Sequence, residues 1–61
     1  MENKKFLNAE DVASYMDISM SMAYRIIRNL NKELAAQGFI TVAGRVSRVF
    51  FEEKIYGATN R

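Results

Sequence analysis

Arg25 and Arg28 stand three positions apart, with Ser21 and Tyr24 close by, inside the stretch SMSMAYRIIRNLNKEL that runs from Ser19 to Leu34. A guanidinium presents its donors in a fixed fork that grips a phosphate or the O6 and N7 edge of guanine, and Ser or Tyr hydroxyls bond phosphate oxygens. The chemistry these residue types offer is recognition of a polyanion. On an isolated helix they would serve equally as a solvated face, so the neighbouring elements decide. Catalysis has no support: the chain has no His, no Cys and no convergent carboxylate pair, and 61 residues are too few to enclose an ordinary substrate pocket. The missing Cys and His also exclude a disulfide framework and the usual structural zinc site, and no cofactor is expected.

The net charge of +2 is modest, but it is unevenly spread. Between Ile18 and Phe51 the five cations Arg25, Arg28, Lys32, Arg45 and Arg48 face the single anion Glu33, whereas the remaining residues carry a net −2. Positive charge gathered in one part of a small chain is the footprint expected of a surface that meets nucleic acid. Lys32 reads as a peripheral phosphate contact or as a solvated residue. Lys4 and Lys5 offer a basic arm with nothing to fix its geometry. Glu10, Asp11 and Asp17 read as cap and solubility residues, since carboxylates would repel phosphates.

The elements that must position these side chains follow from local signals. Asn8 is a good N-cap, with Asp11 three residues on and Leu7 and Val12 placed as a hydrophobic staple. They predict a first helix from about Ala9 to Met16 whose inner face is Ala9, Val12, Ala13 and Met16. Asp17-Ile18-Ser19 breaks the pattern and Ser19 caps a second helix. Two helices joined by about three residues cross steeply, the geometry of a helix-turn-helix. Ala23, Ile26, Ile27, Leu30 and Leu34 form the inner seam of the second helix. Gly38 supplies the left-handed residue that ends it after Gln37, and Phe39 is expected to pack back on Leu34.

Phe39 to Val42 and Val46 to Phe51, rich in β-branched and aromatic residues, flank the break Ala43-Gly44-Arg45 and predict a β-hairpin. The second arm can turn either Val46, Arg48 and Phe50 or Ser47, Val49 and Phe51 inward; the preferred reading puts Val49 and Phe51 inside. Glu52 to Tyr56 is expected to form a closing helical turn, and Gly57 to Arg61 a frayed end. The fold expected is α+β, mainly α: a small winged helix-turn-helix, one domain over residues 1–61 with an ordered core at 6–56. The 49% hydrophobic content suffices for a small core, and no apolar run approaches the roughly 20 residues of a membrane span. With no segment of signal-peptide type, a soluble cytoplasmic protein is expected.

FLNAEDVASYMDISMSMAYRIIR, from Phe6 to Arg28, resembles the excisionase-type DNA-binding domain, related to the N-terminal domain of mercury-resistance-type regulators. Phe6-Leu7, Glu10, Ala13, Ile18-Ser19 and Tyr24-Arg25 to Arg28 carry the resemblance, which extends through Gly44, Arg48 and Ile55 in the wing and closing helix. Two departures stand out. Met20 and Met22 occupy positions where the family often has polar or basic residues, and the stretch Asn29 to Gln37 lengthens the second helix. That extension suits either a protein contact or a repositioned wing.

The resemblance implies a bacterial or phage-encoded excisionase, a recombination directionality factor that bends double-stranded DNA beside an integrase without cutting it. It also implies self-association on DNA. The same architecture serves small transcriptional regulators. The candidate DNA-binding residues are Ser19, Met20, Ser21, Tyr24, Arg25, Arg28 and Lys32 on the second helix, with Arg45 and Arg48 flanking the hairpin tip. Met20 and Met22 suit thymine methyls or a core gap equally as residue types. A rival reading makes the chain a protein-interaction module that docks a recombinase or a second copy through Leu30, Leu34, Phe39 and Phe50.

Overall fold

Asn8 ends a three-residue strand and begins a helix, and these two roles set the architecture. The computed structural model describes residues 5–57. Strand β1 (Phe6–Asn8) leads into helix α1 (Ala9–Met16), with Asn8 as its N-cap and Asp11 completing a reciprocal capping box. Helix α1 ends on Asp17, whose φ of 58° places it in the left-handed region that Asp tolerates better than most residues. The N–H groups of Asp17 and Ile18 both turn back to the Ala13 carbonyl.

Ser19 then caps helix α2 (Met20–Ala36), its hydroxyl accepting the Met22 N–H at 3.2 Å. The C-terminus of α2 is a Schellman motif. The Phe39 N–H donates to the Leu34 carbonyl and the Gly38 N–H to that of Ala35, each at 3.0 Å, while Gly38 takes a φ of 92°. The predicted end is therefore made as expected, except that the Phe39 ring is 59% exposed.

The hairpin differs from expectation. No strand covers Phe39 to Val42; its first arm is reduced to one bridge between Val42 and Arg45. Strand β2 (Arg45–Ser47) pairs instead with β1, antiparallel, with Phe6 opposite Ser47, Leu7 opposite Val46 and Asn8 opposite Arg45. The second arm stops at Ser47, whose hydroxyl accepts the Phe50 N–H at 3.4 Å and caps helix α3 (Arg48–Glu52). A π-helical turn, Glu53–Gly57, follows. Helical spacing replaces strand alternation after Ser47, so Phe51 is 1% exposed whereas Val49, expected inside, is 71% exposed. The architecture remains mainly helical with a condensed wing. The expected flexible ends at 1–4 and 58–61, Lys4 with them, lie outside the described residues.

The core joins every element. Leu7 and Val46 from the strands, Ala9 and Val12 from α1, Ala23, Ile27 and Leu30 from α2, and Phe51 from α3 form one cluster, with Ala13, Ile18, Ile26, Phe50 and Ile55 packed around it. The seam of α2 is as predicted, with Ile26 half-buried at its edge. Ala9 and Ala23 lack long side chains, which suits helices in close contact. Met16, expected on the inner face of α1, is exposed; the Tyr15 ring lies 5.4 Å from Phe51.

Candidate nucleic-acid interface

At 3.6 residues per turn, Tyr24, Arg28, Ser21, Lys32 and Arg25 fall within an arc of about 100° on α2, which runs from the edge of the buried seam at Tyr24 round to the opposite side of the helix at Lys32 and Arg25. All five are exposed. Met20 shares the near edge of that arc: it lines a shallow depression with Asn8, Glu10, Tyr24 and Gly44. Met22 falls about 60° beyond Arg25, past the other edge of the arc. Neither Met fills the core, at 42% and 43% exposed. Ser19 is exposed, and its hydroxyl is committed to the helix cap.

The turn Val42-Ala43-Gly44-Arg45 stands alongside this arc. It is closed by the Arg45 N–H donating to the Val42 carbonyl at 3.0 Å, and Gly44 has a φ of 81°, the value that the third position of a type II turn requires. A groove runs between turn and helix, lined by Tyr24, Arg28, Asn31 and Lys32 on one wall and Thr41, Ala43 and Gly44 on the other. Arg45 is exposed at the foot of the turn. The structure thus sets Tyr24, Arg28 and Lys32 against the turn, with Ser21 and Arg25 on the same arc of α2 and Met20 beside Tyr24 and Gly44.

Arg48 is not brought with them. It begins α3 at the opposite end of β2 from Gly44, about 13 Å further along the chain at roughly 3.3 Å per residue. Its backbone N–H donates to the Lys5 carbonyl at 2.9 Å, and its guanidinium Nε donates to Glu52 at 3.0 Å. A full hairpin would set Arg48 beside its tip; the switch from strand to helix at Ser47 removes it from there.

Two residues of this surface, Asn31 and Thr41, were not singled out from the sequence; both line the groove. Glu10, read as a cap and solubility residue, stands at the margin of the Met20 depression. The local signal of Asn31, a polar residue three positions beyond Arg28, does not separate it from a solvated helix residue.

The alternative docking surface is also altered. Leu30 and Leu34 are buried and Phe50 is half-buried, while Phe39 remains exposed. Leu34, Phe39 and Phe50 line a depression on another side of α2, together with Phe6, Ile40 and Val49. Among the described residues no group of His, Cys, Asp and Glu is arranged to hold a metal ion, and no helix is long and apolar enough to cross a membrane.

Comparison with known proteins gives two matches. The Mga helix-turn-helix domain matches residues 1–43. The ICEBs1 excisionase of Bacillus subtilis (strain 168) is 37% identical over 49 residues, which cover 80% of this chain and 77% of that protein. No solved structure matches.

Proposed function

We propose, because the chain belongs to the Mga helix-turn-helix domain family and has an excisionase as a relative, that it is a sequence-specific DNA-binding protein acting as the excisionase of a mobile element. The observation that carries this reading is the placement of Arg25, Arg28 and Lys32 on one exposed arc of α2 beside the Gly44 turn and Arg45. The N-terminal half of α2 enters the major groove, where Arg25 reads a base edge and Met20 meets thymine methyls. Ser19, Ser21, Tyr24, Arg28 and Lys32 hold phosphates, and Arg45 extends the contact from the turn. Arg48 adds a peripheral phosphate contact when its guanidinium leaves Glu52.

In this role the protein does no bond chemistry. It organises DNA for an integrase that supplies the catalytic residues, and further copies of the chain bind alongside it. The exposed Phe39 and Ile40 offer apolar surface for such protein contacts, away from the cationic arc. A small transcriptional regulator of the same fold would use the same DNA-facing residues.

The decisive measurement is binding to a mixed-sequence duplex at two salt concentrations. Neutralising three or four phosphates predicts that log affinity falls against log salt with a slope of about −3 to −4. No binding at low salt, or binding unchanged when Arg25 and Arg28 become Ala, would overturn the reading. Pull-down of the cognate integrase on DNA separates the excision role from the regulatory one.

A further inference from the structure

The C-terminal half of α2, from Asn29 onward, exceeds what the arginine-bearing face needs, and the structure gives one of its residues a specific task. The Asn31 side-chain amide nitrogen donates to two backbone carbonyls of the wing turn, that of Val42 at 3.1 Å and that of Arg45 at 2.7 Å. These bonds cross 11 and 14 residues of chain, so they tie the turn to the helix and not to its own flanks. The Arg45 carbonyl faces Val42 across the bridge that closes the turn, and a side chain from α2 donates to it as well.

The other hold on the turn is at its C-terminal end, where Arg45 faces Asn8 of β1 and Val46 enters the core. Ile40 is 90% exposed and Val42 is exposed, so this segment buries few apolar groups, and its first arm forms no strand. Arg28 and Lys32, at the positions three before and one after Asn31, form the helix wall of the groove. Arg45 is anchored through its own carbonyl at the foot of the turn. The Asn31 amide therefore ties the backbone of Arg45 to the helix segment that carries Arg28 and Lys32.

We infer that Asn31 is a positioning residue for DNA binding: it locks the wing turn against α2 so that Arg45 and the α2 cations meet one DNA backbone in fixed register. This rests on the DNA-binding reading above, and it assigns Asn31 no contact with DNA. An amide is the side chain the geometry requires. Leu has a similar shape and no donor, and Asp would present acceptors to two carbonyl oxygens.

The test has two arms, one of which needs no DNA. In the free protein, 15N relaxation should show that Asn31→Leu lowers the order parameters of Ala43, Gly44 and Arg45 from about 0.85 toward 0.6 or below while α2 stays rigid. On a mixed-sequence duplex at about 50 mM salt, Arg45→Ala should weaken binding about 5-fold in the otherwise native chain and less than about 2-fold in the Asn31→Leu background. Arg25→Ala should weaken both backgrounds equally, which a general loss of folding would not produce. An unchanged turn in Asn31→Leu overturns the inference, and so does an Arg45→Ala effect of equal size in both backgrounds. If the native chain fails to bind duplex, the DNA reading falls, and the relaxation arm still decides whether Asn31 locks the turn.

Discussion

Asn8 and Asp11 satisfy each other's backbone: Asn8 Oδ1 accepts the Asp11 N–H at 2.8 Å, and Asp11 Oδ2 accepts the Asn8 N–H at 3.0 Å. Removing one side leaves donors at the start of α1 without partners. Asn8→Ala is expected to lower stability by about 1 kcal/mol, a fall in Tm of about 4 to 8 °C for a domain this small, read by thermal unfolding.

Phe51 and Val49 lie two residues apart in α3 with opposite fates. Phe51→Ala is expected to remove about 3 to 5 kcal/mol, comparable with the whole stability of a chain this size, so the variant should be largely unfolded by circular dichroism at 25 °C. Val49→Ala should stay within about 0.5 kcal/mol of the native chain. Equal losses would restore the strand reading that turns both residues inward.

Gly44 has open space where a Cβ would go, yet its φ of 81° disfavours any side chain. Gly44→Ala is expected to destabilise by about 1 kcal/mol in urea titration, and Gly44→Asn by less, because Asn enters the left-handed region more readily.

Glu10 lines the Met20 depression at the margin of the proposed DNA-facing side. Glu10→Gln should tighten binding to a mixed duplex by about 2- to 5-fold at low salt, and the gain should shrink as salt is raised. A gain that persists at high salt would point to a conformational effect.

Arg25 and Arg28 should separate by sequence dependence. Arg25→Ala is expected to lose about 1 to 3 kcal/mol on the specific site and to relax preference at one base, whereas Arg28→Ala weakens all duplexes alike and lowers the salt slope by about 1. Arg48→Ala should also act uniformly, and more weakly than Arg45→Ala. Competition binding with specific and scrambled duplexes reads all four.

The helical half of this fold was legible because its signals are local. Asn8 with Asp11, Ser19, the Ala23 to Leu34 seam and Gly38 each act within a few residues, and α1 spans the predicted Ala9 to Met16. The sheet was not legible in the same way. Val46 to Phe51 carries β-forming residues throughout, but Ser47 captures the Phe50 N–H and the chain turns helical at Arg48. The partner of β2 came from Phe6 to Asn8, far away in sequence, where no alternation is long enough to read.

The candidate interface follows the same division. The arc on α2 comes from helical periodicity alone, so Ser21, Tyr24, Arg25, Arg28 and Lys32 fall together as expected. Arg48 was misplaced because its position depended on the hairpin. Asn31 was missed because its partners lie 11 and 14 residues away, and side-chain bonds to a distant backbone leave no period in a sequence.

The pairing of β1 with β2 joins nearly the first described residues to the segment that follows the wing, with most of the fold enclosed between them. The wing therefore shares its fate with the start of the chain. When Phe6 to Asn8 peel away, Val46 loses its strand partner and the turn keeps only its bonds to Asn31, so β1 and β2 should exchange their amide hydrogens as one cooperative unit, ahead of α2. Any event that captures the first strand would loosen the wing from a distance, without touching the DNA-facing helix.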